Sequence, residues 1–430
     1  MRPEDEILEK ADKYLITSMV SKIEPVIVSE ASGAIIKDVY GKEYIDCFAG
    51  ISVVNAGHSQ PEIVDAAIMQ AKKLVHVCSY VYHVPATIEL AEKLAKITPP
   101  RLQKTFFGNS GAEAIECAIK VARKYTRKYE LIALMCSFHG RTIGTLSLTG
   151  QSGRRKYDMG PYMPGVSFAY PPYCYRCPFE KEYPECDLLC ARTVRDVVEY
   201  CTSKGVAAFI AEPVMGEGGI IPPPPEYFKV VKEILDEYDI LFIVDEVQSG
   251  FGRTGKLFAI EYYGVDPDIM TFAKGIANGF PISACTTRAD IGNAFEPGDH
   301  LSTFGGNPVS AAAALANINV IQRDKLPEQA TEKGAYIMKC LSEMKEKYPI
   351  IGDVRGKGLM IGIELVKDRT KKAPAKDETR KIRDIAREKG LLIGSGGVKD
   401  CVLRIQPPLV IEKEQINNAL TILESAIKEI

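Results

Sequence analysis

The sequence predicts an α/β protein: a large unit with a mostly parallel sheet, then a smaller α+β unit. Three observations carry this expectation. From about residue 60 to 310, short apolar runs alternate with segments of helical period, the pattern of strands covered by helices. Runs such as Val206-Ala-Ala-Phe-Ile-Ala and Leu241-Phe-Ile-Val are continuously apolar, as buried parallel strands are. After about residue 310 the alternation stops, and a different order of helices and strands takes over.

Taken in order, residues 1–20 read as a helix, with Ile7, Leu8, Ala11 and Leu15 at helical spacing. Pro25-Val-Ile-Val and Ala34-Ile-Ile-Lys-Asp-Val-Tyr alternate like strands, and Gly33 and Gly41 punctuate them as a hairpin. Pro61 opens a helix to about Ala71. Lys104-Thr-Phe-Phe leads through Ser110 into a helix with Ile115, Ala118, Ile119 and Ala122 on one face. Leu131 to Met135 is a strand, and so is the run ending at Glu212. Prolines 222–225 form a stiff connector before a helix carrying Phe228, Val231 and Leu235. Val309 to about Gln322 is an Ala-rich helix. A strand pair around Gly358–Glu364 and Val402–Ile405 flanks a helix from about Thr379 to Lys389, and Ile416, Leu420, Leu423 and Ile427 mark the last helix. The expected units are 1–60 (helix and hairpin, joined to the small unit), 61–310 and 311–430.

Composition narrows the function. At 430 residues, with 46% hydrophobic and 26% charged residues, the chain has ample material for a core. A formal charge of −2 with no basic block argues against nucleic acid. No apolar run approaches the length of a membrane span, and the start, MRPEDEILEK, is unlike a signal peptide; a cytoplasmic enzyme is expected.

The chemistry centres on Ile240 to Arg288. The strand Leu241–Val244 delivers Asp245 and Glu246 at its carboxyl end, where open α/β sheets present their chemistry. Between Asp268 and Arg288 the one charged residue is Lys274. Desolvation lowers the pKa of such a lysine, and its neutral amine can form a Schiff base with an aldehyde. An acid at a strand end with an isolated lysine suggests pyridoxal phosphate, which uses a lysine for its aldehyde and an acid for its pyridine nitrogen. The plainer alternative is a solvated acid and a lysine that snorkels to the surface.

Other motifs leave alternatives open. Gly250-Phe-Gly252-Arg-Thr-Gly255 has the G-x-G-x-x-G spelling, but five residues separate it from the strand and an acid stands among them, so it is rejected as a dinucleotide site. Asn109-Ser110-Gly111-Ala112-Glu113 is a phosphate site at a helix start or a plain capping box. Phe138-His139-Gly140-Arg141 follows a strand, where an aromatic could stack on a ring. Arg404 inside an apolar strand calls for a partner or an anion, with Glu212 the natural candidate.

Together these pieces resemble the class III, or ω-, aminotransferases. The motifs that carry the resemblance are DEVQSGFGRTG, TFAKGIANGFP, SGAEA, FHGRT and TFGGNP, and it runs from Gly50-Ile51 to Pro408-Leu409. The likeness is greatest to 4-aminobutyrate aminotransferases. It implies the aspartate-aminotransferase-like fold (fold type I) with a seven-stranded sheet, and pyridoxal 5′-phosphate as cofactor. By resemblance, Lys274 forms the Schiff base and shuttles the proton, and Asp245 holds the pyridine nitrogen. Gln248 contacts the ring hydroxyl, Val247 packs beneath the ring, and Phe138 covers the other face beside His139. Ser110, Gly111 and Ala112 cup the phosphate, and Thr303 completes the cup from the neighbouring subunit. That implies an obligate homodimer, or a dimer of dimers. Glu212 neutralises Arg404 for the amino donor and releases it for the α-carboxylate of 2-oxoglutarate, Arg141 holds the distal carboxylate, and Ile51 shapes the pocket.

The implied reaction moves the amino group of an ω-amino acid, 4-aminobutyrate first, to a 2-oxo acid. An amino-acid racemase and an acetylornithine or ornithine aminotransferase are the alternatives within the family. A non-catalytic cofactor-binding regulator is the alternative outside it. Two departures bear on the donor: Phe138 stands where many relatives have Tyr, and Tyr80 replaces a Gln that lies near the Glu212 switch in some 4-aminobutyrate enzymes. Among 12 cysteines, Cys174, Cys177, Cys186 and Cys190 cluster. No metal is assigned to them: zinc, an iron–sulfur cluster, disulfides and free thiols all stay open.

Overall fold

The computed structural model describes residues 3–16, 24–151 and 153–430. One sheet has seven strands, in the order Leu102–Gly108, Ser283–Arg288, Ile269–Phe272, Leu241–Asp245, Val206–Ala211, Glu130–Leu134, Val166–Ala169. Only Ser283–Arg288 runs against the others, since it pairs antiparallel on both sides. The strands are buried along their whole length where helices cover both faces. Leu241–Asp245 and Val206–Ala211 are buried at every residue, which explains their lack of alternation. The helix Gly111–Thr126 packs Ile115, Ala118, Ile119 and Ala122 on one face of the sheet. Phe209, Phe228, Phe242 and Phe272 belong to the larger core cluster.

The second sheet mixes the two ends of the chain. Val28–Ser32, Ile35–Asp38 and Glu43–Cys47 pair in order, and Glu43–Cys47 then runs parallel to Leu391–Gly396. Val402–Ile405, Met360–Asp368 and Ile351–Lys357 follow, and the short strand Ala373–Pro374 pairs with Met360–Asp368. The N-terminal helix spans Pro3–Tyr14; the rest of the helix expected to residue 20 falls mostly outside the described residues.

Buried polar groups join the layers. Arg253 is fully buried and pairs with no carboxylate among the described residues. Its Nη1 donates to the carbonyls of Leu359, at 3.1 Å, and Pro407, and its Nη2 to Asn55 Oδ1 at 2.6 Å. Burial pulls its pKa down to about 9. The guanidinium thus pins the loop after Asp245 to three distant segments. The glycines of the rejected dinucleotide spelling serve the same packing: Gly252 and Gly255 have φ of 89° and 96° and lie against Leu409 and Thr331.

Glu246 is buried beside this loop, with Oε1 accepting from the Ile260 N–H at 2.8 Å and Oε2 from Ser249 Oγ at 2.5 Å. Burial raises its pKa from 4.5 to about 7. A raised carboxyl pKa means the fold holds the proton more tightly than the unfolded chain. Its stabilisation is full below about pH 4.5 and is lost as pH rises through about 7. Glu246→Gln keeps an acceptor for Ile260 and a donor for Ser249. It is therefore expected to match the wild type near pH 5 and to melt higher at pH 9, with a gain on the order of 3 kcal/mol at most. Melting curves of the two proteins across that range check it; a difference independent of pH would show that Glu246 does not titrate with folding.

Candidate active site

The carboxyl ends of five strands converge on one cavity of about 430 Å³. Leu102–Gly108 feeds Asn109–Ala112, Glu130–Leu134 feeds Phe138–Arg141, and Val206–Ala211 feeds Glu212 and Glu217. Leu241–Asp245 brings Asp245, Val247 and Gln248, and Ile269–Phe272 leads to Lys274; all these residues line the cavity. Opening at this edge is where an open α/β sheet binds its ligand.

Lys274 is the centre. It faces the cavity rather than bulk solvent, and among the described residues it makes no hydrogen bond or ion pair. Burial lowers its pKa, against the opposing pull of Glu217, Asp245 and Glu212. Asp245 is 4% exposed. Its Oδ2 accepts from His139 Nδ1 at 2.7 Å, and its Oδ1 accepts from the Val247 N–H at 3.0 Å and Thr271 Oγ1 at 3.4 Å. The carboxylate is thus fixed from three sides at the strand end.

The residues present fit a phosphorylated pyridine aldehyde. The other ring nitrogen of His139 and both amide atoms of Gln248 are buried with no hydrogen-bond partner among the described residues, an expensive state unless a ligand supplies one. Gly111 leaves no room for a side chain: a Cβ there would stand 2.9 Å from Val247. Gly216 is tighter still, since a Cβ would meet Gln248 Oε1 at 1.8 Å. The helix Gly111–Thr126 starts at the cavity edge with its N–H groups and positive dipole end. Ser110 caps it in a capping box, accepting from the Glu113 N–H at 3.3 Å while Glu113 accepts from the Ser110 N–H at 3.2 Å. So Ser110 is both a cap and a cavity residue.

The charged end of the cavity corrects one expectation. Arg404 does not pair with Glu212. Its Nη1 donates to Glu217 Oε1, and Glu217 Oε2 accepts from Arg155 Nη2 at 3.0 Å. The reason is local. Glu212 stands just past the strand end and is committed to backbone: it accepts from the Phe138 N–H at 2.9 Å and the Gly216 N–H at 2.8 Å. Glu217 lies five residues on, in the Gly216-Glu-Gly-Gly turn, and reaches across to the second sheet. The two acids titrate apart. Burial pushes Glu212 up to about 7. Burial would push Glu217 up as well, but Arg404, Lys274 and Arg155 hold it down to about 2. Neither Arg155 nor Glu217 stands out in the sequence. The signal for Glu217 was the glycines on both sides, which mark a close backbone approach.

Arg141 lies at the cavity edge with its guanidinium 5.5 Å from the Phe138 ring, and it has no ion pair among the described residues. Ile51 sits in a left-handed turn with φ of 71° and is not among the cavity residues; Val53 lines it instead. Thr303 is exposed and outside this cavity. Tyr80 is also outside it. Its hydroxyl bonds the backbone of Phe107 at 2.7 Å and its ring stacks on Phe106, so within one chain it does not stand by Glu212. All four clustered cysteines are free, and among the described residues no group of histidine, cysteine and acid side chains is arranged to hold a metal.

A family model for class III aminotransferases matches residues 17–427. A leucine/methionine racemase of Thermococcus litoralis is 43% identical over 99% of this chain and 96% of its own. An acetylornithine aminotransferase of Methanosarcina mazei is 44% identical over 98% of this chain and 96% of its own. The structure superimposes on a Bacillus anthracis aminotransferase with TM-score 0.94 and 36% identity, over 100% of both chains. An amine transaminase from an uncultivated Pseudomonas species, solved with pyridoxal phosphate bound, matches at TM-score 0.92 and 30% identity, over 97% of this chain and 98% of that one.

Proposed function

The chain belongs to the class III aminotransferases, with their pyridoxal phosphate cofactor and fold, and from that premise we propose that it moves an amino group from an ω-amino acid of the acetylornithine or ornithine kind to a 2-oxo acid such as 2-oxoglutarate. The observation that carries this reading is the Arg404–Glu217 pair facing Lys274. A donor whose reacting carbon bears no carboxylate needs that end of the cavity neutral, and the pair makes it so. An acceptor with an α-carboxylate needs a free guanidinium, and Arg404 becomes one when Glu217 releases it. Arg suits this because its planar fork grips a carboxylate through two parallel bonds. Arg141, unpaired at the cavity edge, is placed to hold the distal carboxylate of either substrate. The name of the Methanosarcina relative favours acetylornithine over 4-aminobutyrate as the donor.

The cofactor, when bound, supplies an electron sink for the carbon that loses its proton. The chain supplies the rest. Asp245, oriented by His139, keeps the pyridine nitrogen protonated. Gln248 offers its amide to the ring hydroxyl, and Phe138 and Val247 take the two ring faces. Ser110, Gly111 and Ala112 hold the phosphate at the helix start, and Thr303 completes that site in a neighbouring subunit of a homodimer. Lys274, whose ammonium form burial disfavours, takes and returns the proton at the reacting carbon.

A second reading, amino-acid racemisation, is favoured by the Thermococcus relative. It requires a second proton carrier working near neutral pH. Glu217 is poorly suited to that role, since its arginine partners hold its pKa at about 2. The readings separate when the loaded enzyme meets one amine at a time with no oxo acid. N-acetylornithine or ornithine is expected to convert the cofactor band to that of the amine form in a single turnover, with L-leucine and L-methionine keeping their chirality. Loss of chirality from either amino acid, without conversion by any ω-amine, would replace the transaminase by the racemase.

A further inference from the structure

Glu217 is held at both oxygens, by Arg404 at Oε1 and by Arg155 at Oε2, and only the first bond has a part in the reading above. Arg155 lies with its guanidinium 4.9 Å from the Phe138 ring, on the same ring that Arg141 approaches. Burial, Arg141 and Arg404 all disfavour its charge, and Glu217 is the acid that offsets them. Arg404, by contrast, keeps a backbone partner, the Ser395 carbonyl at 3.2 Å, and lies 5.3 Å over Phe48.

We propose that Arg155 is a positioning residue that keeps Glu217 partnered while Arg404 is given up to an incoming α-carboxylate. This deepens the donor–acceptor reading and rests on it. A buried carboxylate that loses its hydrogen-bonded cation is strongly disfavoured. With one arginine, Glu217 would resist release and Arg404 would stay closed. With two, Glu217 can turn about its Arg155 contact and vacate Arg404 without ever being unpaired. Arg155 therefore acts on the acceptor half of the cycle and little on the donor half, where the Arg404–Glu217 pair is intact.

The test is the Arg155→Leu variant of the loaded enzyme, with Arg155→Lys beside it and each half-reaction followed alone. Two acceptors are compared: 2-oxoglutarate, with a distal carboxylate, and pyruvate, with the α-carboxylate only. Arg155→Leu is expected to weaken both acceptors roughly 5- to 150-fold in KM and in equilibrium binding, while the ω-amino donor keeps its KM. Arg155→Lys restores part of the loss. Loss confined to 2-oxoglutarate would overturn the proposal, because Arg155 would then be gripping the distal carboxylate itself. An equal fall in donor and acceptor steps would overturn it as a folding effect, and unchanged acceptors would overturn it outright. A wild type that takes no amino group from any ω-amine would remove the donor–acceptor reading and this proposal together, which distinguishes that failure from the others.

Discussion

Lys274→Ala is expected to abolish turnover while leaving the protein as stable as before, or more so. The two halves of that result have one cause. Lys274 sits in the cavity with no hydrogen bond among the described residues, and burial lowers its pKa. A buried amine without a partner contributes little to stability and can oppose it. Its removal leaves Glu217 still held by Arg404 and Arg155, so no new unpaired charge appears. Lys274 also has φ of 44°, a strain that alanine inherits unchanged. Activity loses far more. In the proposed function the amine both joins the cofactor and moves the proton at the reacting carbon, and positioned proton transfer alone is worth roughly 10²–10⁴-fold. Turnover should fall by at least that factor, and a small primary amine added to the solution should restore a part. The check is kcat beside the melting temperature. A variant with more than a tenth of the wild-type rate would remove Lys274 from the mechanism; one that lost activity only by unfolding would show a structural lysine.

Asp245 and Lys274, which line one cavity, were legible as candidates because a strand of that composition has one chemical end and Lys274 is the one charge between Asp268 and Arg288. The helix at Ser110 was legible for the same reason: period and cap agree. What escaped is what depends on contacts between distant residues. Arg404 called for an acid, and the sequence offered two in Glu212-Pro-Val-Met-Gly-Glu217. Which one turns inward is set by backbone N–H groups from Phe138 and Gly216, and these occupy the first. Arg155 lies in an Arg-Arg-Lys run that reads as solvated surface until Glu217 is seen beneath it. The long helix Leu326–Lys347 was passed over for a different reason. Its sequence is polar and holds Gly334, a weak helix former. That glycine is where the Gly358 carbonyl approaches, 2.1 Å from where a Cβ would be.

Asp245→Asn should cost nearly as much activity as the loss of the lysine, and it isolates the charge from the shape. The substitution keeps the side-chain volume. One amide oxygen can still accept from Val247 and Thr271, and the amide nitrogen can face His139 once that ring presents its acceptor form. What vanishes is the negative charge that the proposed function assigns to the cofactor's ring nitrogen. Fixed charges of this kind, in a site closed to water, are worth roughly 10²–10³-fold when one is removed. Turnover should fall by that order in both half-reactions alike, because the ring nitrogen serves both. That symmetry separates it from any change at the Arg404 end, which acts on one substrate. Kinetics of each half-reaction on the one variant read the effect. Activity within tenfold of wild type would mean that the ring nitrogen gains nothing from Asp245, and the assignment of the strand-end acid would fall.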